Sequence, residues 1–259
     1  MKSCPECGSF DISPRGYGTE NAEEEARALF PFANIERLDT DVTGGDSEKT
    51  QEILSKFKDG EIDILLGTQM IAKGLNFPKV SLIGILNADS SLALPDFRAG
   101  ERTFDLLHQV AGRAGRYRDD GKVIIQTTQP TAPAIQMAAN NDLEHFYERE
   151  LTQRKETMFP PFSRLINLSI RGKTEEKVKE ASLALGDMAD KMAEEDDEIE
   201  VFSPSPCLIE KMAGQYRWHV LLRSQSISRL LSFTRTLLDS FLLPSSLHLE
   251  IDVDPLNLF

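Results

Sequence analysis

Residues 106–116 read LLHQVAGRAGR and place Gln109, Gly112, Arg113 and Arg116 within about two helical turns. Arg113 and Arg116 are three apart, so both guanidiniums can leave one helix face toward a single anion. Planar guanidinium forks take phosphate oxygens bidentately. An arginine aimed at a phosphoryl group in transfer supplies roughly 10³- to 10⁵-fold in rate. Paired arginines on a helix are more commonly a solvated face. What sets this pair apart is Gly112 and Gly115, each costing a helix about 1 kcal/mol against alanine, so something should need bare backbone or a close neighbour there. His108 reads as a neutral helix residue with no special role.

A second segment, ILLGTQMIAKGLNF over residues 64–77, starts as a short apolar run and ends in Gly67 and Thr68. That pattern predicts a buried strand emptying into a loop. In open parallel sheets ligands collect at the carboxyl ends of strands, where Gly67, Thr68 and Gly74 could offer N–H and hydroxyl donors to phosphates. A Gly-Thr after a strand is by itself more commonly a plain turn.

Together, GTQMIAKGLNFP and DFRAGERTFDLLHQVAGRAGR resemble motifs V and VI of the primosomal protein N′ (PriA) family, superfamily 2 replication-restart DNA helicases. The resemblance extends to CPECGS and GYGTE near the start, IERLDTD near residue 40, FPPFSRLINL near 160, YRWHVLL near 220 and the closing EIDVDP. It implies that Arg113 and Arg116 reach the γ-phosphate of ATP held by the other motor lobe, with Gln109 and Gly112 shaping the helix entry. It implies further that Gly67, Thr68 and Lys73 meet single-stranded DNA while Gly74 and Asn76 face the nucleotide. Many superfamily 2 motors carry aspartate at the Asn76 position. An amide can bond a ribose hydroxyl but cannot pair ionically with a motif VI arginine.

The sequence has no G-x-x-x-x-G-K-[ST] loop and no DExH-like box after a strand, so the phosphate cradle and the Mg²⁺ carboxylates are missing. The expectation is the carboxyl-terminal portion of a longer ATP-dependent 3′ to 5′ helicase, a fragment or a split reading frame beginning at Met1, inactive alone. The alternative is a stand-alone DNA-fork or partner-binding module with vestigial motor motifs. The resemblance also implies ATP and Mg²⁺ bound mainly by the other lobe. As partners it implies forked and single-stranded DNA, single-stranded-DNA-binding protein, and primosome or helicase-loader proteins.

The 259 residues carry a net charge of −13, which argues against a nucleic-acid partner until its distribution is considered. Acids concentrate over residues 20–25 and 194–200, whereas residues 65–118 hold seven Lys or Arg against four Asp or Glu. Weak, salt-sensitive DNA binding is expected. No apolar run reaches the length of a membrane span, and a cytoplasmic location is expected, with no membrane partner. Three cysteines suggest metal or nothing rather than disulfides. Cys4 and Cys7 have the spacing of half a zinc site, and a closed site needs four ligands. The family resemblance implies that the remaining Zn²⁺ ligands lie outside this chain, so little zinc is expected in it alone. Cys207 reads as a buried small hydrophobe.

The elements that must position these residues alternate. Helix 20–30, capped by Thr19 and ended by Pro31, precedes strand 35–38, then Asp39, Thr40 and Asp41, helix 47–58 ended by Gly60, and strand 62–66. Strand 80–86, helix 98–111 and strand 123–127 follow. This predicts an α/β fold with a mostly parallel sheet and helices on both faces. The family resemblance implies that it is one RecA-like second helicase lobe over residues 15–133 after a zinc-segment remnant at 1–14. A helix over 134–155 and the turn Phe159-Pro160-Pro161-Phe162 lead into the rest. There, strand 165–171, helix 175–192, strand candidates 200–203 with 207–211, strand 218–223, helix 227–238 and strand 248–253 give βαββαβ, a smaller α+β ferredoxin-like domain within 134–259. Lys211, Arg217 and Trp218 lie on or beside its hairpin, where basic residues and a ring could hold phosphates and stack bases. A lone Trp is more commonly core.

Overall fold

The computed structural model describes residues 18–68, 79–114 and 121–258. It is mixed α/β and divides into two compact units, Met1–Leu92 with Glu101–Leu143, and Ala93–Gly100 with Glu144–Phe259.

In the first unit α1 (Thr19–Leu29) leads to β1 (Ile35–Leu38), a short α2 (Thr40–Thr43), α3 (Ser47–Asp59) and β2 (Ile64–Gly67). Then come β3 (Leu82–Ile85), α4 (Ala99–Ala114), β4 (Lys122–Ile125) and α5 (Pro133–Ala139). Strands β1 and β2 pair in parallel, as do β3 and β4. The link between β1 and β2 is a helical crossover. Its main helix, α3, starts where the Asp46 carboxylate accepts the Glu48 N–H at 2.8 Å and stops at Gly60, whose φ of 90° is a conformation glycine adopts without strain. Buried Ile53 of α3 meets Leu38 and Ile62, with Phe57 and Leu65 against them.

Local expectations fail in instructive places here. Thr19 does not cap α1: it is the first helical residue, and its hydroxyl donates to Asp39 Oδ2 at 2.7 Å. Asp39 accepts the Val42 N–H and starts α2, a helix too short for any apolar period to mark it. The helix expected over 134–155 is two helices. Asn141, at φ 55°, turns the chain between them while the Asp142 N–H bonds back to the Met137 carbonyl.

The second unit contains α6 (Leu143–Glu156), β5 (Arg164–Gly172), α7 (Glu175–Ala193), β6 (Glu200–Met212), β7 (Gln215–Ser224), α8 (Ile227–Ser240) and β8 (Leu247–Val253). Its four strands form one antiparallel sheet in the order β6-β7-β5-β8. Alternate residues of β5 and β7, Ile166, Leu168 and Ile170 with Val220 and Leu222, are fully buried against Val178 and Leu185 of α7 and Leu230 and Leu237 of α8. Gly186 of α7 is required by proximity, since a Cβ there would lie 2.3 Å from Pro204 Cγ of β6. Pro204 and Pro206 do not split β6 into two strands as the sequence suggested; it is an edge strand that shifts register around them. One end of the opposite face is covered by Leu165, Leu221 and Leu258 with Phe97, Phe159 and Phe202, and the Phe97 and Phe159 rings stack at 4.8 Å. Among the described residues no helix is long and apolar enough to cross a membrane.

Candidate functional site

The parallel register sets Leu38 opposite Gly67, so Asp39 and Thr68 leave the β1–β2 pair at the same edge. Gly67 and Thr68 are both exposed there. Asp39, by contrast, is buried and committed. Besides the Thr19 hydroxyl it lies 3.1 Å from Arg37 Nε, and Glu23 sits 3.7 Å from the same nitrogen. That network fixes the end of β1, the strand beside the one from which Thr68 departs.

Helix α4 buries Phe104 and Leu107 and exposes Gln109 and Gly112, which are three apart and share a face. His108 is half-buried with its ring stacked 5.6 Å from that of Phe104, a packing role. A Cβ built on Gly112 would meet nothing within 4 Å. No neighbour among the described residues therefore explains this helical glycine. Arg113 lies in the last turn of α4, but its side chain is outside the described residues, as are all of Arg116, Lys73, Gly74, Asn76, Cys4 and Cys7. Among the described residues no group of His, Cys, Asp and Glu could hold a metal ion.

Beyond the carboxyl ends of β3 and β4, Asp89 takes both the hydroxyl and the N–H of Thr128. The Thr128 hydroxyl holds the buried carboxyl below the usual aspartate range. Charge and two donors make it an anchor between the segments that follow the two strands.

In the second unit Lys211, Arg217 and Trp218 do not form one cluster. Trp218 is half-buried against the helix-side core, with Lys179 Nζ 5.8 Å from its ring centre. Lys211 is exposed and lies over the Tyr216 ring at 4.5 Å. Arg217 points to the other face, where the register sets it opposite Arg171. Glu250 of β8 reaches Arg171 at 3.0 Å from the side away from Arg217, so this like-charged pair has one carboxylate bonded to one of its two guanidiniums. Next to them His219 bridges Asn167 Oδ1 and Ser205 Oγ, each at 3.1 Å. Burial first, and Arg217 second, hold its pKa below the ordinary value. The Asn167 carbonyl can only accept, so Nδ1 donates and Nε2 accepts the Ser205 hydroxyl. Cys207 is buried 3.9 Å from Ser169 Oγ, and burial pushes its thiol pKa up. Single-sequence reading missed Arg171, Asn167 and His219; their only signal is spacing of two along β5 and β7.

Residues 155–256 match the family described as the Primosomal protein N C-terminal domain, and residues 21–118 match the Helicase conserved C-terminal domain. Over 256 residues, 99% of this chain, it is 47% identical to replication restart protein PriA of Treponema pallidum. Along nearly its whole length the chain is similar to PriA proteins. The PriA proteins of Borreliella burgdorferi and Bacillus subtilis are 40% and 39% identical over 98% and 92% of it. The chain spans 38% of the length of the first two relatives and 29% of the third. The helicase match ends beyond α4 and so includes Gln109, Gly112 and both arginines, whereas the family match covers the antiparallel sheet.

Asp254, just after β8, belongs to the stabilising framework of that sheet. Arg164 Nε donates to its two oxygens at 2.9 and 3.0 Å, and this pairing holds its carboxyl below the usual range. A carboxyl depressed in the folded state stabilises above its unfolded pKa and loses that contribution as pH falls through the folded value. Acid titration of thermal stability is therefore expected to be steeper in the wild type than in Asp254→Asn, with the difference confined to pH at and below the ordinary aspartate range.

Proposed function

We propose that the chain supplies the second motor lobe, RecA-like in architecture, and a ferredoxin-like DNA-binding domain to an ATP-dependent 3′ to 5′ DNA helicase that restarts replication at stalled or abandoned forks. The observation that carries this reading is the exposed end of α4. Gln109 and Gly112 share an open face, nothing described packs on Gly112, and the helix leads directly to Arg113 and Arg116. Bare backbone beside two guanidiniums suits the phosphates of a nucleotide. ATP and Mg²⁺ would be held chiefly by the other lobe, with Gly74 and Asn76 on the near side of the nucleotide. Gly67, Thr68 and Lys73 would hold single-stranded DNA.

In the second unit the under-neutralised Arg171 and Arg217 pair supports phosphate binding, with Lys211 and Trp218 at the hairpin. Cys4 and Cys7 would complete a Zn²⁺ site with ligands from elsewhere in the longer protein. Single-stranded-DNA-binding protein and primosome or helicase-loader proteins would be the partners, in the cytoplasm.

The deciding comparison is ATP turnover by these 259 residues alone and by a full-length protein containing them, with and without single-stranded DNA. Turnover only in the longer protein is expected; turnover by the shorter chain would refute the division of labour. In the longer protein Thr68→Ala should leave basal turnover intact. It should raise the DNA concentration for half-maximal stimulation about tenfold, the cost of one hydrogen bond to a charged phosphate.

A further inference from the structure

Strand β8 ends one side of the antiparallel sheet, and among the described residues β5 is the only strand paired with it. The ladder fixes which of its backbone groups are used. The Asp254 N–H donates to the Leu165 carbonyl at 2.8 Å, in phase with the Ile166↔Val253 register. Bonded and non-bonded pairs alternate along an antiparallel ladder, so Asp252, Glu250 and His248 turn their N–H and C=O toward β5. Leu249, Ile251 and Val253 turn theirs outward. Side chains alternate as well, with Leu249, Ile251 and Val253 on one face and Glu250 and Asp252 on the other. Ile251 is 52% exposed and Val253 41%, and both acids are exposed.

The opposite edge differs. Strand β6 is interrupted by Pro204 and Pro206 and by register shifts, devices that discourage further pairing. Strand β8 has no proline, no lysine and an unbroken register. Its guards are two carboxylates, Asp252 and a Glu250 that also pairs with Arg171 at 3.0 Å, and these select among partners rather than exclude all of them. They disfavour a second β8 laid alongside, since like charges would face each other in a chain already at −13. They favour a basic strand.

We propose that the outer edge of β8 receives, as a fifth strand, an extended segment of a partner protein in which lysine or arginine alternates with aliphatic residues. Its backbone pairs with Leu249, Ile251 and Val253. Its basic side chains lie beside Glu250 and Asp252, and its aliphatic ones cover Ile251 and Val253. The assignment is independent of the motor reading.

A fluorescein-labelled peptide of alternating valine and lysine, titrated with the 259-residue chain by anisotropy, tests it. Binding is expected, at least tenfold tighter than for a valine–glutamate peptide. A valine–lysine peptide N-methylated along one edge should not bind. Ile251→Pro removes an outward N–H without removing a bond to β5 and should weaken binding about tenfold at an unchanged melting temperature. Asp252→Lys should weaken it too and lower its salt dependence. Equal affinity for the two peptides, or undiminished binding of the N-methylated one, overturns the proposal, and the latter decides the matter even if Ile251→Pro fails to fold. Binding that survives Ile251→Pro but not Asp252→Lys reduces it to nonspecific charge attraction and overturns it. Dimerisation on sedimentation that Ile251→Pro abolishes would assign the edge to a second copy instead.

Discussion

Arg116→Ala in the full-length protein is expected to lower DNA-stimulated ATP turnover by about a thousandfold, the lower end of what an arginine acting on a transferring phosphoryl group supplies. In the proposed role the contact would form only as negative charge spreads over the transferring group, so kcat and kcat/KM should fall together while KM for ATP stays close to wild type. Arg116→Lys should rescue little, since an ammonium cannot reproduce a bidentate fork. Arg113→Ala should act in the same direction, because a spacing of three lets both guanidiniums reach one anion. Affinity for single-stranded DNA should be unchanged throughout, as Gly67 and Thr68, the proposed DNA contacts, leave from the end of β2. Normal turnover with lost DNA affinity would reverse the assignment, making these arginines DNA contacts. A KM effect alone would reduce them to ground-state ATP binding.

The helix leading to those arginines was legible because it depends on local periodicity. Gln109 and Gly112 lie three apart on a helix whose buried positions are Phe104 and Leu107, so their exposure follows from the repeat. Strand 35–38 and the helix ended by Gly60 were legible for the same reason, each bounded by residues whose backbone preference stops the element. What stayed hidden is tertiary. Asn140, Asn141 and Asp142 can each be accommodated in a helix, and only the Met137–Asp142 bond and the positive φ of Asn141 show the turn. Pro204 and Pro206 resemble strand ends until β6 is known to be an edge, where their missing N–H groups cost no ladder bond. The Arg171–Arg217 apposition and the His219 bridge require the register between β5 and β7, two strands separated by a helix and another strand. A slip of one residue would send every one of these side chains to the other face.

The same register fixes the largest stability effect. Leu222 is fully buried on the inner strand β7 and stands between Val201 of β6 and Ile166 of β5, a cross-strand row beneath α7 and α8. Leu222→Ala removes three carbons from a site enclosed by sheet and helices, where collapse is limited. The expected cost is about 3 kcal/mol, within the range for buried leucines. For a unit of this size that corresponds to a melting temperature lower by roughly 10 °C. Leu242→Ala removes the same atoms from a side chain that is 92% exposed, and should change stability by no more than about 0.5 kcal/mol. Urea unfolding of the two variants beside the wild type separates burial from residue type. Similar losses in both would mean that the face of β7 carrying Leu222 is not the one that α7 and α8 cover. That slip would also exchange the surroundings of Arg217 and Trp218, so this measurement checks the face on which phosphate binding has been placed.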